Sequence, residues 1–367
     1  MTAPPAPPAP PAPPAPPAPP ARRASRVVDR GWTRESSPFH PGEQAVQRRV
    51  GVRDQVERAG RNMVHEQLPD QLREWFEALP LLVVGSLDAA GRLWASILGG
   101  PPGFVRSPSP KLLQIKAQPS IGDPLREQLA LSSPLGSPLG SPLGLLGIQL
   151  ETRRRNRANG RIVARDADSF TIEVEQAFGN CKQYIQAREP AFDASLLGNA
   201  QPPRVEGPHL SARASELLAR TDTFFIATAS AAAASGKDGE GVDVSHRGGR
   251  PGFVRVSEGP APARSTRLTI PDFRGNFIFN TFGNLEVNPR AGIVCADFRT
   301  GDILSLTGTA HAIWEGAELD SFEGADRLLS FEVESGVFVE RALPLRFEGL
   351  VPSPDLADTG IWAEARA

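Results

Sequence analysis

The sequence predicts a mainly β protein with flanking helices, an α+β chain in which one β-rich unit occurs twice in tandem behind a proline-rich start. Three observations carry this. At 367 residues the chain is too long for one ordinary domain and comfortable for two. Short apolar runs bounded by Gly, Asp and Ser turns recur along it, the pattern of antiparallel strands. The tetrapeptide Gly103-Phe104-Val105-Arg106 also returns as Gly252-Phe253-Val254-Arg255. Counting back from it sets Ser96 opposite Ser245, Gly99 opposite Gly248, Gly100 opposite Gly249 and Pro102 opposite Pro251, an internal duplication. The informative mismatch is Leu98, which stands where the second copy has Arg247.

Composition narrows the function classes. Hydrophobic residues at 40% and charged residues at 22% support a folded body, while 37 prolines exceed background and need a place. Six Ala-Pro-Pro triplets from Ala3 to Pro20 supply it, an extended polyproline II segment read as a spacer or as a ligand for a proline-reading domain. Lys and Arg number 40 against 42 Asp and Glu, a formal charge of −2 that gives no global pull on nucleic acid or membrane lipid. Neither is expected as a partner, so an anion site must be local. No run reaches the ~18 apolar residues of a membrane-spanning helix, and no basic-then-apolar leader is present. The expected address is the cytoplasm, with Cys181 and Cys295 as free thiols because they match no zinc or redox spacing. His40, His65, His209, His246 and His311 are scattered, and no metal site is expected.

Along the chain, residues 1–37 read as a disordered Ala/Pro-rich tail, 38–190 as a helical lead-in and the first copy, 191–210 as a linker, 211–350 as the second copy and 351–367 as a C-terminal tail. Apolar residues at helical spacing over 42–76 predict two helices broken near Pro69. Residues 81–84 and 93–98, around the turn at 88–91, predict a hairpin, and 112–115, 145–150, 160–163 and 170–174 predict further strands. Three Ser-Pro-Leu-Gly units starting at Ser133, Ser137 and Ser141 read as a loop insertion. In the second copy Ser211 caps a helix to Arg220, strands are predicted at 224–228, 242–245, 268–270, 276–280, 291–297, 303–313 and 328–333, and a short helix at 283–288. Residues 191–207 carry no strand pattern.

On a strand, Ser245 and Arg247 point to one face and His246 to the other. A hydroxyl beside a guanidinium suits a phosphate, and Gly248 and Gly249 permit close approach. Asn276, Thr281 and Asn284 add donors near a predicted helix start. The same residues also fit a surface hairpin with ordinary turns. The run Arg153, Arg154, Arg155 and Arg157 puts positive charge on both faces of a strand, either a solvated edge or an anion site. His246 reads as a partly exposed strand residue.

Taken in order, Ser-x-Arg-Gly-Gly at 245–249, Gly-Phe-Val at 252–254, Leu-x-x-Pro-Asp-x-x-Gly-Asn at 268–276, Asn-x-x-x-Asn-Pro at 284–289 and Gly308-Thr309-Ala310 resemble the FMN-binding split barrels of the pyridoxamine 5'-phosphate oxidase-like superfamily. Upstream, Phe39-His40-Pro41-Gly42-Glu43, Gly122-Asp123-Pro124-Leu125, the 152–157 segment and Phe178-Gly179-Asn180-Cys181 are similar to a tandem two-barrel subgroup. In that subgroup the pair is often fused to ferredoxin reductase-like and iron–sulfur domains. The match runs from about Phe39 to Phe347, and Lys182 departs from it where a proline is usual, which sets the role of Tyr184 apart.

The resemblance implies two tandem split β-barrels with FMN in a groove between barrels, and chemistry carried by the cofactor as in an oxidoreductase. Its phosphate would lie at Ser245 and Arg247, with Asn276, Thr281, Asn284, Arg153 and Arg155 as further cofactor-binding residues. The groove can form inside one chain, as an intrachain pseudo-dimer, or in a homodimer. No room for the electron-transfer domains remains before Ala367, so an NAD(P)H-dependent reductase is expected as a separate protein or not at all. The alternative is a non-catalytic flavin- or haem-binding module, or a partner subunit of a reductase, motivated by Leu98 in the first copy.

Overall fold

The computed structural model describes residues 31–130, 139–262 and 264–362. The Ala-Pro-Pro segment, the first Ser-Pro-Leu-Gly unit and the start of the second lie outside them. Three helices open the described chain, α1 (Pro41–Arg49), α2 (Arg53–Met63) and α3 (Asp70–Glu77). One more break than expected falls at Gly51, whose φ of +74° ends α1 in a conformation that glycine adopts without penalty. His40 caps α1 in a capping box: its side chain accepts from the Gly42 amide at 3.1 Å while the Glu43 carboxylate accepts from the His40 amide at 2.9 Å.

The first sheet comprises β1 (Leu81–Leu87), β2 (Leu93–Gly99), β3 (Val105–Ser109), β4 (Leu112–Ile115), β5 (Pro142–Gln149), β6 (Arg154–Arg165) and β7 (Phe170–Asn180), with α4 (Pro124–Leu129) between β4 and β5. Two short strands, β8 (Ala187–Phe192) and β9 (Arg204–Glu206), and helix α5 (Ala212–Arg220) follow. The second sheet comprises β10 (Thr223–Ala229), β11 (Val242–Gly248), β12 (Arg255–Glu258), β13 (Thr266–Asp272), β14 (Arg290–Ala296), β15 (Ile303–Ile313) and β16 (Arg327–Val339), with α6 (Asn280–Val287) between β13 and β14 and α7 (Ala317–Asp320) before β16. β17 (Leu345–Val351) closes the described strands and pairs with β8. The order is β2-β1-β5-β6-β7-β4-β3 in one sheet and β11-β10-β14-β15-β16-β13-β12 in the other, with β9 added to β16. The two orders are the same once each second-sheet strand is matched to the one nine earlier.

The register of the repeat is the one the shared tetrapeptide sets. Ser96 pairs with Val84 and Leu98 with Leu82, as Ser245 pairs with Ile226 and Arg247 with Phe224. A bulge falls at Asn159/Gly160 in β6 and at the matching Thr307/Gly308 in β15. Strands β1 and β10 are apolar on both faces because each faces two cores. Leu82 and Val84 join the first copy's own core, Phe224 and Ile226 the second's, while Leu81, Val83, Phe225 and Ala227 pack into a third cluster shared by the two copies. Each of the leucine, valine, isoleucine and phenylalanine side chains, once buried, contributes about 1.5–3 kcal/mol. Glycine brings the backbones together there: a Cβ on Gly144 would lie 2.5 Å from the Val242 carbonyl, and Gly292, its counterpart, meets the Leu93 carbonyl in the same way.

Helix α1 precedes the first sheet in the chain but docks on the second copy, where Gly42 and Gly283 let α1 and α6 cross in contact and Val46 enters the core. The segment read as free of strands contains β9, which borrows its pairing from the edge of β16 and leaves Val205 85% exposed, so no periodicity marks it. Beyond Val351 the chain stays packed: Trp362 is buried, donates to the Phe253 carbonyl at 3.1 Å and stacks edge-on against Phe322. Among the described residues no helix is long and apolar enough to cross a membrane.

Candidate functional site

A cleft opens where the two copies meet. The cavity at its base measures about 110 Å³. The first copy contributes Arg155 and Arg157 from β6 and the turn after β7 with Asn180, Cys181 and Tyr184. The second contributes Ser245, His246 and Arg247 from β11, Asp272 from the end of β13, the loop with Phe277 and Phe279, and Thr281 from the first turn of α6. β6 and β11 face each other here because the same close approach of backbones brings β5 and β11 together at Gly144.

Of the residues expected from sequence, Ser245, Arg247, Asn276, Thr281 and Arg155 line this cleft. Asn284 does not: it is fully buried one turn further into α6, donating to Thr228 Oγ1 at 3.0 Å and to Asp243 at 2.9 Å. Arg153 does not either. It sits in a left-handed turn ahead of β6 and donates to the carbonyls of Ile185, Val351 and Pro352. Asn276 is exposed at the rim, its side chain accepting from the Ile278 amide at 3.2 Å. His246 is 5% exposed rather than partly open, its ring set edge-on to Phe225 in the wall. Burial, then Arg155, Arg247 and Arg188, hold its pKa well below the ordinary imidazole value, so it is neutral.

The polar contacts define a donor-rich floor. Ser245 Oγ accepts from Arg157 at 2.6 Å and from Thr281 Oγ1 at 3.1 Å. A hydroxyl that accepts twice keeps one proton of its own to donate. Arg157 also donates to Asp243 at 3.1 Å, and Asp243 accepts from Asn159 at 2.8 Å, so a buried carboxylate fixes the guanidinium. Arg247 pairs with Asp272, and Arg327 reaches the same carboxylate at 2.7 Å while lying over the rings of Phe279, Phe282 and Trp314. Burial raises the Asp272 pKa against the pull of both arginines.

Arg155 is different. Its donors go to the Cys181 carbonyl at 2.7 Å, to Cys181 Sγ at 3.2 Å and to the His246 carbonyl at 3.4 Å, and among the described residues it pairs with no carboxylate. Burial, with added repulsion from Arg247, lowers its pKa. Arg155 is half-buried, and a partly desolvated guanidinium without a counter-ion is eased when something anionic joins it. The Nε atoms of Arg157 and Arg247 and the amide nitrogen of Asn180 are likewise buried without a hydrogen-bond partner among the described residues. Unanswered donors on three lining residues, beside the carboxylate-free Arg155, fit an anion. The first turn of α6 adds to this, because its N-cap, Phe279, brings no side-chain cap to the helix amides.

Above the floor the lining is aromatic, with Tyr184, Phe273, Phe277 and Phe279. Three of these are non-glycine residues in the left-handed region, at φ of 60°, 59° and 65° for Tyr184, Phe277 and Phe279. Such backbone costs on the order of 1–3 kcal/mol per residue and gathers where a site needs side chains aimed in one way. The sequence signal for Arg157 was its place in the arginine run. For Asp243, Asp272 and Arg327 there was none beyond the family motif, since their partners are distant in the chain.

No protein-family model and no curated protein sequence matches the chain. Among solved structures it is similar to HupZ of Group A Streptococcus, at 15% identity over 34% of this chain and 90% of that one, with a TM-score of 0.25. It is also similar to the Bacillus subtilis inhibitor of motility MotI/DgrA, at 8% identity over 70% of this chain and 88% of that one, TM-score 0.21. A third likeness is to the MrkH–c-di-GMP complex of K. pneumonia, at 9% identity over 71% and 78%, TM-score 0.19. At such scores likeness assigns neither fold nor ligand, and the chemistry of the cleft is what bears on function.

Proposed function

We propose that the chain is an FMN-binding flavoprotein of the split-barrel kind its motifs resemble, working as an oxidoreductase with one cleft between its two copies as an intrachain pseudo-dimer. The observation that carries this is Arg155, a half-buried guanidinium that pairs with no carboxylate among the described residues, lining one cleft with Ser245 and Arg157. Arg155, Arg157, Ser245, Arg247 and Thr281 would hold the phosphate, and Tyr184, Phe273, Phe277 and Phe279 would shield the ring from water. FMN supplies hydride or electron transfer; the chain binds, orients and excludes solvent. Asp272 and Asp243 keep Arg247 and Arg157 in place before the ligand arrives, so little side-chain ordering is left for binding. The reducing equivalents would come from NAD(P)H, directly or through a separate reductase.

The test is spectroscopic. Purified full-length protein is expected to show the two-banded flavin spectrum and to release FMN on denaturation. Arg155→Met and Arg247→Ala are each expected to weaken FMN binding by about 10- to 100-fold, the worth of a charge-assisted contact. Arg106→Ala, at the exposed matching tetrapeptide where Arg106 donates only to the Gly103 carbonyl at 3.2 Å, is expected to leave it unchanged. Colourless protein whose melting temperature ignores added FMN overturns the reading, and a Soret band would replace it with haem.

A further inference from the structure

The internal repeat defines a second position, related to the cleft by exchanging the two copies, and its residues can be read off strand by strand. Ser245 corresponds to Ser96 and Arg247 to Leu98 through the hairpin registers. Arg155, opposite Ile148 on β5, corresponds to Ile303, opposite Ala296 on β14. Arg157, opposite Leu146, corresponds to Ser305, opposite Val294. None of the three cations of the phosphate floor has a cationic counterpart. Leu98, Ile303 and Ser305 are all buried, and Leu345 packs against Gly99.

The serine survives, but its partner has changed. Ser96 Oγ donates to Asp123 Oδ1 at 2.6 Å, and the same oxygen accepts from the Leu125 amide at 2.9 Å. Asp123 is the N-cap of α4, the helix that corresponds to α6. At α6 the helix start has no side-chain cap, and Ser245 Oγ accepts from Arg157 and Thr281 with no carboxylate on it. At α4 a carboxylate from the chain itself takes both the serine proton and the helix amide.

We propose that the chain takes one anionic ligand and not two, because the position related to the cleft by the repeat is sealed, with Asp123 supplying in cis the anionic acceptor that a ligand's phosphate supplies at Ser245. This rests on the reading of the cleft as an FMN site. Loss of the second site then separates the copies into a binding half and a supporting half, and the serine retained in both is a ligand contact in one and a helix-cap acceptor's partner in the other.

The experiment is a calorimetric titration of FMN into flavin-stripped full-length protein, repeated with Asp123→Asn and Arg247→Ala. One equivalent per chain is expected for the wild type and for Asp123→Asn, with affinities within about twofold of each other, as for sites that share no partner. Arg247→Ala is expected to lose that equivalent over the same concentration range. If Asp123→Asn does not fold, as judged by its melting curve, Ser96→Ala takes its place with the same expectation. Two equivalents per chain, or one that survives Arg247→Ala and disappears with Asp123→Asn, overturns the proposal while leaving an FMN site in being. No binding by the wild type overturns both.

Discussion

The carboxyl of Asp123 is 6% exposed, and burial, against the donors Ser96 and Leu125, raises its pKa from 3.8 to about 6. The folded chain therefore holds a proton between pH 3.8 and about 6 that the unfolded chain has released. Folding stability falls as pH rises through that window, and above it the penalty is complete, at about 2–3 kcal/mol. Asp123→Asn removes the titration and keeps the acceptor, so the variant should match the wild type near the bottom of the window and exceed it at neutral pH. Denaturant melts at several pH values check this, and a difference that does not change with pH would show that the carboxyl is ordinary. How much was legible at this scale depended on sequence distance. Ser245 and Arg247 share one strand face and one motif, so alternation alone paired them. Arg155 and Arg157 were visible as a charged run, but which face met the cleft needed the opposite copy. Arg327 meets Arg247 through Asp272, and neither separation has a period that a sequence shows.

At the scale of elements, glycine pairs decide how closely the copies approach. Gly144 on β5 and Gly292 on β14 occupy matching registers, each under a carbonyl of the opposite hairpin. Alanine at either position forces two backbones apart, so Gly144→Ala and Gly292→Ala should each destabilise by about 1–3 kcal/mol in chemical unfolding. Gly144→Ala, on the side that brings β5 against β11, should also weaken ligand binding, whereas Gly292→Ala should not; equal effects on binding would mean that the cleft does not depend on that approach. The hairpins were readable because their strands are apolar and their turns carry glycine and aspartate. The length of β6 was not: apart from Ala158, Arg154 to Asn159 are polar, yet they ladder to β5 and β7, with Arg157 and Asn159 answered by Asp243 and Ser245 of the other copy. The helical lead-in read as two helices because its apolar spacing continues past Gly51, whose left-handed turn leaves no mark in periodicity.

For the whole molecule, the shared cluster between β1, β2, β10 and β11 is the decisive feature. It draws residues from both copies, so neither can lose its fold without exposing apolar surface of the other. Heating should produce one cooperative transition with equal calorimetric and van't Hoff enthalpies. Two resolved transitions would mean that the copies are independent units that merely touch. The repeat itself was legible from a tetrapeptide, whereas the shared core was not, because alternation along a strand shows that both faces are apolar and never what covers them.

The crossing of α1 onto α6 has a consequence for how the protein is made. The Glu43–Asn280 hydrogen bond spans 237 residues, so α1 must wait for half of the second copy before it finds its seat. Contacts that bridge so much chain are slow to form. The helix that carries Thr281 into the cleft thus meets its support only once the second sheet is under way, and a nascent chain stalled before Asn280 would have both sheets begun and no place for a ligand.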